Sequence, residues 1–230
     1  MPNNIKNRIE FKGDSEQIKQ LIEKYSTFYP EAENFNFDKS LIMKHTDGSY
    51  GWYKKETNEF CKRNTNGNMI VSYGIPEGYS PDMIKAFTRF PDFQKVLPMP
   101  KAVLADLEAK PSGVSPLWYS WSVDNWGTKW NAYSCEKESE MIYLFETAWC
   151  SVPKILEEVS LSFPNVEIIY EWSDEDTGYN CGTAVYKNGL VSENIPTGGS
   201  KEAYELAFKL RPYHAEYYEL IGDEYHYKED

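Results

Sequence analysis

Outside one long interval, the hydrophobic period of this chain changes in a fixed order, and that order constrains the fold more than any other feature. Asn4 to Phe11 alternates through Ile5, Arg8, Ile9 and Phe11, a short strand that Gly13 ends. Asp14 or Ser15 then caps a helix over residues 15–26, where Ile18, Leu21, Ile22 and Tyr25 recur at helical spacing. Far downstream, Trp130–Cys135 and Met141–Thr147 read as a hairpin around the polar turn Glu136–Glu140. Pro153 opens a helix that carries Ile155, Leu156, Val159 and Leu161 and stops at Pro164. Val166–Trp172 is the clearest strand in the chain.

With residues 27–116 set aside, the order is strand, helix, strand, strand, helix, strand. That is the split βαβ arrangement of ferredoxin-like folds, so the expectation is an α+β protein with a four-stranded antiparallel sheet and helices on one face. A further strand through Cys181, Ala184, Val185 and Tyr186 extends an edge, and Asn188-Gly189 joins it by a tight turn to Leu190-Val191. Residues 1–230 are expected to form a single domain. Within it, 27–116 is a long insertion after the first helix, and 200–230 is an acidic C-terminal extension, helical over 200–221 and broken at Pro212. In the insertion, Phe35 and Phe37 alternate like a strand and Met69-Ile70-Val71 reads as another, with turn formers at Asp47-Gly48 and Asn64–Asn68. Pro81 introduces a short helix through Met83, Ile84 and Phe87. Pro91–Pro100 is expected to be extended, pinned by Pro98 and Pro100, and 106–116 to be a loop.

Charge narrows the partners. The chain of 230 residues carries a net charge of −12, and the imbalance is local. Residues 116–230 hold eight basic and twenty-one acidic side chains, whereas residues 28–115 hold eleven of each. Such a field repels nucleic-acid phosphates and anionic lipid and attracts basic partners or cations. It also describes a solvated acidic face that maintains solubility. Direct nucleic-acid binding is disfavoured further because the strands lack a basic-aromatic RNA signature. Cys61, Cys135, Cys150 and Cys181 are widely spaced, with no CxxC and no nearby histidine pair, so neither zinc ligation nor a redox motif is expected. The polar N-terminus lacks an apolar signal region, and no run approaches the roughly 18 apolar residues of a membrane span. The expectation is a cytoplasmic protein with four reduced, mostly buried thiols and no cofactor or metal.

Chemistry concentrates in Asp124-Asn125-Trp126-Gly127-Thr128-Lys129-Trp130-Asn131-Ala132. Four of the seven tryptophans fall between positions 118 and 130. The apolar residues 118, 121 and 126 fit a short helix for which Gly127 is the C-terminal cap. Two readings stand side by side. Asn125, Trp126, Lys129, Trp130 and Trp149 can line a pocket where an indole stacks a base or sugar and Lys129 neutralises a phosphate. Alternatively, Trp126 and Trp130 plug the sheet while Asn125 and Thr128 satisfy turn backbone groups.

These phrases resemble the YubB-type ferredoxin-like proteins of conjugative plasmids, phages and gut-bacterial mobile elements. The likeness runs through Pro2-Asn3 and Asn7-Arg8, then Phe93–Pro100, then Trp121 with Asn125-Trp126-Gly127-Thr128-Lys129-Trp130. It continues in Phe145-Glu146-Thr147-Ala148-Trp149, Phe163-Pro164, and Gly182 with Tyr186 and Gly189. The chain departs from that pattern after Trp149, where Cys150-Ser151-Val152-Pro153 stands in place of the usual Ser-Pro-Pro. Its segment from Thr27 to Phe90 is also longer. The resemblance implies no activity or catalytic residues; it implies an accessory, anti-defence role.

The remaining motifs are weaker. Asp174, Glu175 and Asp176 sit on a turn near Glu171, without calcium-loop spacing. His45, His214 and His226 stand in no nucleophile motif, and no phosphate-binding glycine pattern appears, which argues against an enzyme without excluding one. The C-terminal run from Glu216 mixes Tyr217, Tyr218, Tyr225 and Tyr227 with Asp223, Glu224 and other acids. Acidic and aromatic together suit a basic protein groove. The sequence therefore points to an accessory protein that binds a host protein through Glu216, Tyr217, Tyr218, Asp223, Glu224 and Tyr225. The alternative is a small-molecule or nucleotide binder, or a hydrolase, built on the Asn-Trp-Gly-Thr-Lys-Trp segment.

Overall fold

The computed structural model describes residues 3–28, 40–46, 50–54, 57–63, 69–80, 88–109 and 116–228. It divides into two compact units, one of residues 1–25 with 90–230 and the other of residues 26–89. The second unit thus ends at Arg89, and residues 90–116, read from sequence as part of the insertion, group with the first. Strand β1 (Asn4–Lys12) leads into helix α1 (Ser15–Tyr25). Burial along β1 alternates as a strand with one covered face requires, with Ile5, Asn7, Ile9 and Phe11 inward. The side chain of Asp14 accepts from the backbone N–H of Gln17 and caps the helix, which buries Ile18, Leu21 and Tyr25.

The second unit is all strand among its described residues. It contains β2 (Thr27–Phe28), β3 (Ser40–His45), β4 (Tyr50–Lys54), β5 (Glu59–Arg63), β6 (Met69–Tyr73), β7 (Tyr79–Ser80) and β8 (Thr88–Arg89). A five-stranded sheet runs β6-β5-β4-β3-β7, and β2 pairs with β8. Phe60 is its buried centre, packed on Tyr79 with ring centroids 4.5 Å apart. Gly51 faces that ring so closely that an added Cβ would stand 2.0 Å from Cζ of Phe60. The Met69-Ile70-Val71 strand is present as β6. Those expected at Phe35 and Phe37, the turns at 47–48 and 64–68, and the helix through Met83, Ile84 and Phe87 lie outside the described residues.

The first unit resumes with α2 (Phe93–Val96), α3 (Lys101–Ala109) and α4 (Leu117–Trp126). The run expected to be extended is therefore partly helical. Asp92 accepts from the backbone N–H of Gln94 as an N-cap, and Asn131 holds the turn by donating to Asp92 while accepting from the N–H of Phe93. Residues 106–109, expected as loop, finish α3, whose Val103 and Leu104 pack on the core. Helix α4 ends at Gly127, as read from sequence, with φ 79°.

After these come β9 (Tyr133–Lys137), β10 (Ile142–Ala148), α5 (Pro153–Ser162), β11 (Glu167–Ser173), β12 (Cys181–Lys187) and β13 (Leu190–Asn194). Helix α6 (Lys201–Leu210), a 3-10 turn (Pro212–Tyr217), and the ribbon β14 (Tyr218–Ile221) with β15 (Glu224–Tyr227) complete the unit. The six-stranded antiparallel sheet runs β13-β12-β11-β1-β10-β9. Strands β11, β1, β10 and edge β9 realise the ferredoxin-like order as the four strands of the motif, and β12 and β13 extend it beyond β11.

Helices α1 and α5 cover one face of this sheet, where Ile9, Phe11, Phe145, Ile168, Tyr170 and Tyr186 meet Ile18, Leu21, Ile155 and Val159 in one core. Helix α6 lies on β11, β12 and β1. It meets the residues that alternate away from the core: Lys209 pairs with Glu171, whereas Tyr170 and Trp172 face inward. The extension is not helical to residue 221. It turns at Pro212, and residues 218–227 form the β14–β15 ribbon, whose Tyr218 and Tyr225 pack on Tyr204 and Phe208 of α6.

Candidate functional site

The tryptophan segment resolves into a core residue followed by an exposed aromatic group. Trp126 is 2% exposed, donates its indole N–H to the carbonyl of Leu97 at 2.9 Å, and packs edge-on against Phe93 and Trp121. It belongs to the core joint and offers no face to a ligand. Asn125 donates its amide back to the carbonyl of Trp121, one helical turn earlier. Gly127 then reverses the chain. Thr128 fastens it to the end of β10, donating to the carbonyl of Ala148 at 2.8 Å and accepting from its N–H at 3.1 Å.

That clamp sets Lys129 and Trp130 beside Trp149. The Lys129 ammonium lies 4.7 Å from the centroid of Trp130, 5.4 Å from Trp149 and 5.7 Å from Tyr119 of α4. Trp130 and Trp149 are each about two-fifths exposed. Trp149 has φ 66°, a left-handed backbone rare for a bulky side chain. Two hydrogen bonds hold it there: its N–H donates to the carbonyl of Asn3 at 2.9 Å, and its carbonyl accepts from the Asn180 amide at 3.2 Å. Of the five candidate ligand residues, the structure thus gathers Lys129, Trp130 and Trp149, adds Tyr119, and withdraws Trp126 and the amide of Asn125.

A polar cluster occupies the same end of the sheet. Asp174 is buried and accepts from the amides of Asn3 and Asn180 and from the N–H of Asp176. The acidic turn is therefore a satisfied loop closure. Among the described residues no group of His, Cys, Asp and Glu is placed to hold a metal ion. Asn4 joins Glu175 to Tyr133, donating to the carboxylate and accepting from the phenol, both at 2.5 Å. Burial, with the Glu146 and Glu175 carboxylates, pushes Tyr133 up to about 12, so its phenol remains a donor. Arg211, almost wholly buried, donates to the carbonyl of Asn4 and stands 3.8 Å from Glu146, while its Nε has no hydrogen-bond partner among the described residues.

His214 is joined to a hydroxyl distant in the chain. Its Nδ1 lies 2.5 Å from Oγ1 of Thr177. Burial and the nearby Arg211 hold it below the usual histidine value, with Glu175 opposing. A neutral imidazole against a hydroxyl is the pairing that general-base chemistry uses. Nothing in the sequence spacing of 37 positions signals it. The thiols are less buried than expected. Cys181 is buried, Cys61 and Cys135 are half-buried and Cys150 is exposed, and all four are free. Burial and Asp174 raise Cys150, so it is not an activated thiolate.

The candidate partner residues divide by direction. Tyr218 and Tyr225 face α6, whereas Tyr217 stacks on Tyr227 with planes 2° apart, both well exposed. Glu216, Asp223 and Glu224 are exposed.

Residues 129–216 match the family model of the ferredoxin-like domain in Api92-like protein. The matched span begins at Lys129, and includes Trp130, Trp149 and the polar cluster from Tyr133 to His214. The crystal structure of a protein Api92 from Yersinia pseudotuberculosis shares 13% identity with this chain, covering 85% of it and 99% of its own length, at a TM-score of 0.47. None of the curated proteins compared matches the chain. Among the described residues no helix is long and apolar enough to cross a membrane.

Proposed function

We propose that this chain is a non-enzymatic, cytoplasmic accessory protein of a mobile genetic element that acts by binding a basic host protein, in an anti-defence role. The mobile-element setting rests on the YubB-type phrases of the sequence. The binding mode is supported by the exposure of the C-terminal ribbon and the turn before it. The stacked pair Tyr217 and Tyr227 is exposed, Leu220 and Ile221 are 44% and 57% exposed, and the carboxylates of Glu216, Glu219, Asp223 and Glu224 are exposed in the same short segment. Stacked tyrosines supply rigid contact area at small entropic cost, and the carboxylates select a basic surface. The test is capture of partners from host lysate at low and high salt, with the intact chain and with a Tyr217→Ser/Tyr227→Ser variant. A basic protein retained at low salt, released at high salt and lost with the variant supports the reading. Retention equal in all arms overturns it.

A second reading places a small-molecule ligand, a nucleotide among the candidates, at Lys129, Trp130 and Trp149. One observation favours it: two exposed indoles and a tyrosine converge on a single ammonium position. Loss of ligand binding in Lys129→Ala at unchanged Tm would support an anion-binding form of that site.

A further inference from the structure

The geometry points to a quaternary-ammonium site: Tyr119, Trp130 and Trp149 form an aromatic cage for a methylated ammonium group, and Lys129 is its built-in competitor. The inference rests on the small-molecule reading and fixes the class of its ligand. Three ring faces within 6 Å of one ammonium position is the arrangement by which proteins recognise choline-like and methyl-lysine cations. A cation belongs here on electrostatic grounds also. Residues 116–230 carry twenty-one acidic against eight basic side chains, a field that concentrates cations and repels phosphates.

The occupant seen is a weak one. Among the described residues Lys129 makes no ion pair, and its head is held only by ring faces. A primary ammonium is strongly hydrated, so leaving the cage for water costs it little. A quaternary ammonium has no N–H to satisfy and a larger apolar surface, and it gains more from the same rings. The backbone under two of the cage walls is fixed independently of the lysine. Thr128 clamps the Lys129–Trp130 segment to Ala148, and hydrogen bonds to Asn3 and Asn180 hold Trp149 in its left-handed backbone. A bulky residue in that conformation persists only where its surroundings over-determine it. The backbone that carries the Trp149 indole therefore does not depend on where the Lys129 side chain lies.

Titration of the intact chain with choline, followed by tryptophan fluorescence and indole N–H shifts, tests this. Dimethylbutanol, the neutral carbon isostere of choline, is the control. Lys129→Met should tighten choline binding roughly three- to thirty-fold over the native chain, because the competing cation is gone. Trp130→Ala and Trp149→Ala should each abolish it, and dimethylbutanol should not saturate. A trimethyl-lysine peptide and its unmethylated counterpart separate the sources: preference for the methylated peptide over choline assigns a protein-borne cation, and the reverse a free one. No saturable choline binding in Lys129→Met, or equal binding of dimethylbutanol, overturns the inference. Lys129-dependent binding of adenosine monophosphate without choline binding overturns it while leaving the small-molecule reading intact.

Discussion

The phenol of Tyr170 donates to Oδ1 of Asn7 at 2.5 Å, and both side chains are completely buried on the apolar face of the sheet. Asn7 in turn donates to the carbonyl of Ile5 and to Oγ1 of Thr147, and Thr147 donates to the carbonyl of Cys150. The N–H of Val152, at the start of α5, donates to the Tyr170 oxygen. Three strands and the beginning of a helix are thus tied by one satisfied network, in a region where an unpaired polar group is costly.

Tyr170→Phe removes the hydroxyl and leaves two buried partners unsatisfied, Oδ1 of Asn7 and the N–H of Val152. The expected loss is about 1–3 kcal/mol, from the desolvation cost of such groups. For a chain of this size that lowers Tm by roughly 2–12 °C. Asn7→Leu with Tyr170→Phe should lose less than the sum of the single losses, because the double variant removes both sides of the bond. Equilibrium unfolding of the four proteins decides it; strict additivity would mean that the bond contributes nothing of its own.

Trp126 and Trp130 sit four residues apart and should respond to truncation by very different amounts. Trp126→Ala empties a core position between Phe93 and Trp121 and strands the carbonyl of Leu97, at an expected cost of about 3–5 kcal/mol. Trp130→Ala trims a ring already two-fifths exposed and should cost under about 1 kcal/mol. Denaturant midpoints of the two variants measure the difference. Similar losses would show that Trp130 also belongs to the core.

How much of this was legible follows from the same residues. The strands and helices of the ferredoxin-like motif follow from period, because each has one face to bury: β1, α1, β10, α5 and β11 fall where the alternation and the helical spacing place them. The Gly127 cap was legible because a left-handed terminus selects glycine. Helix α2 was not, since its reason lies in Asn131, thirty-nine positions from Asp92 in the chain. Residues 218–221 form β14 rather than the end of a helix because Tyr218 and Tyr225 bury themselves on Tyr204 and Phe208, a tertiary contact that overrides the local pattern. For the candidate site, the sequence marked Lys129, Trp130 and Trp149. It left Tyr119 and the partition of Trp126 into the core to the fold.

Glu171 binds α6 to the sheet. It is 7% exposed, and its two oxygens accept separately from Arg8 at 3.0 Å and Lys209 at 2.5 Å. Lys209 is half-exposed, so its share is screened, and most of the stabilisation comes from Arg8, whose side chain is 14% exposed. Glu171→Ala should therefore cost about 1.5–3 kcal/mol, the range for a hydrogen bond to a charged partner. Lys209→Ala should cost under about 1 kcal/mol. Because α6 supports the C-terminal ribbon, Glu171→Ala should also speed amide exchange in residues 201–210 more than in β1 or β10. Uniform acceleration across the unit would indicate that Glu171 acts on the sheet alone.

Acid should weaken the fold in part through His214. Burial and Arg211 hold its folded-state value below the ordinary histidine value, and Thr177, Glu175 and the Tyr213 ring are the other groups that face it. Above the unfolded value of about 6.5 the ring is neutral in both states and contributes no pH dependence. As pH falls through that value the unfolded chain takes up the proton first, so stability drops until the folded ring is protonated too. His214→Gln keeps a polar partner for Thr177 and cannot titrate. The unfolding free energy of the native chain minus that of the variant should be constant above about pH 7.5 and should decline below about 6.5. Urea unfolding of both proteins across that interval reads the difference. A flat difference would place the imidazole in ordinary solvent, and a rise on acidification would mean that the Glu175 carboxylate outweighs burial and Arg211.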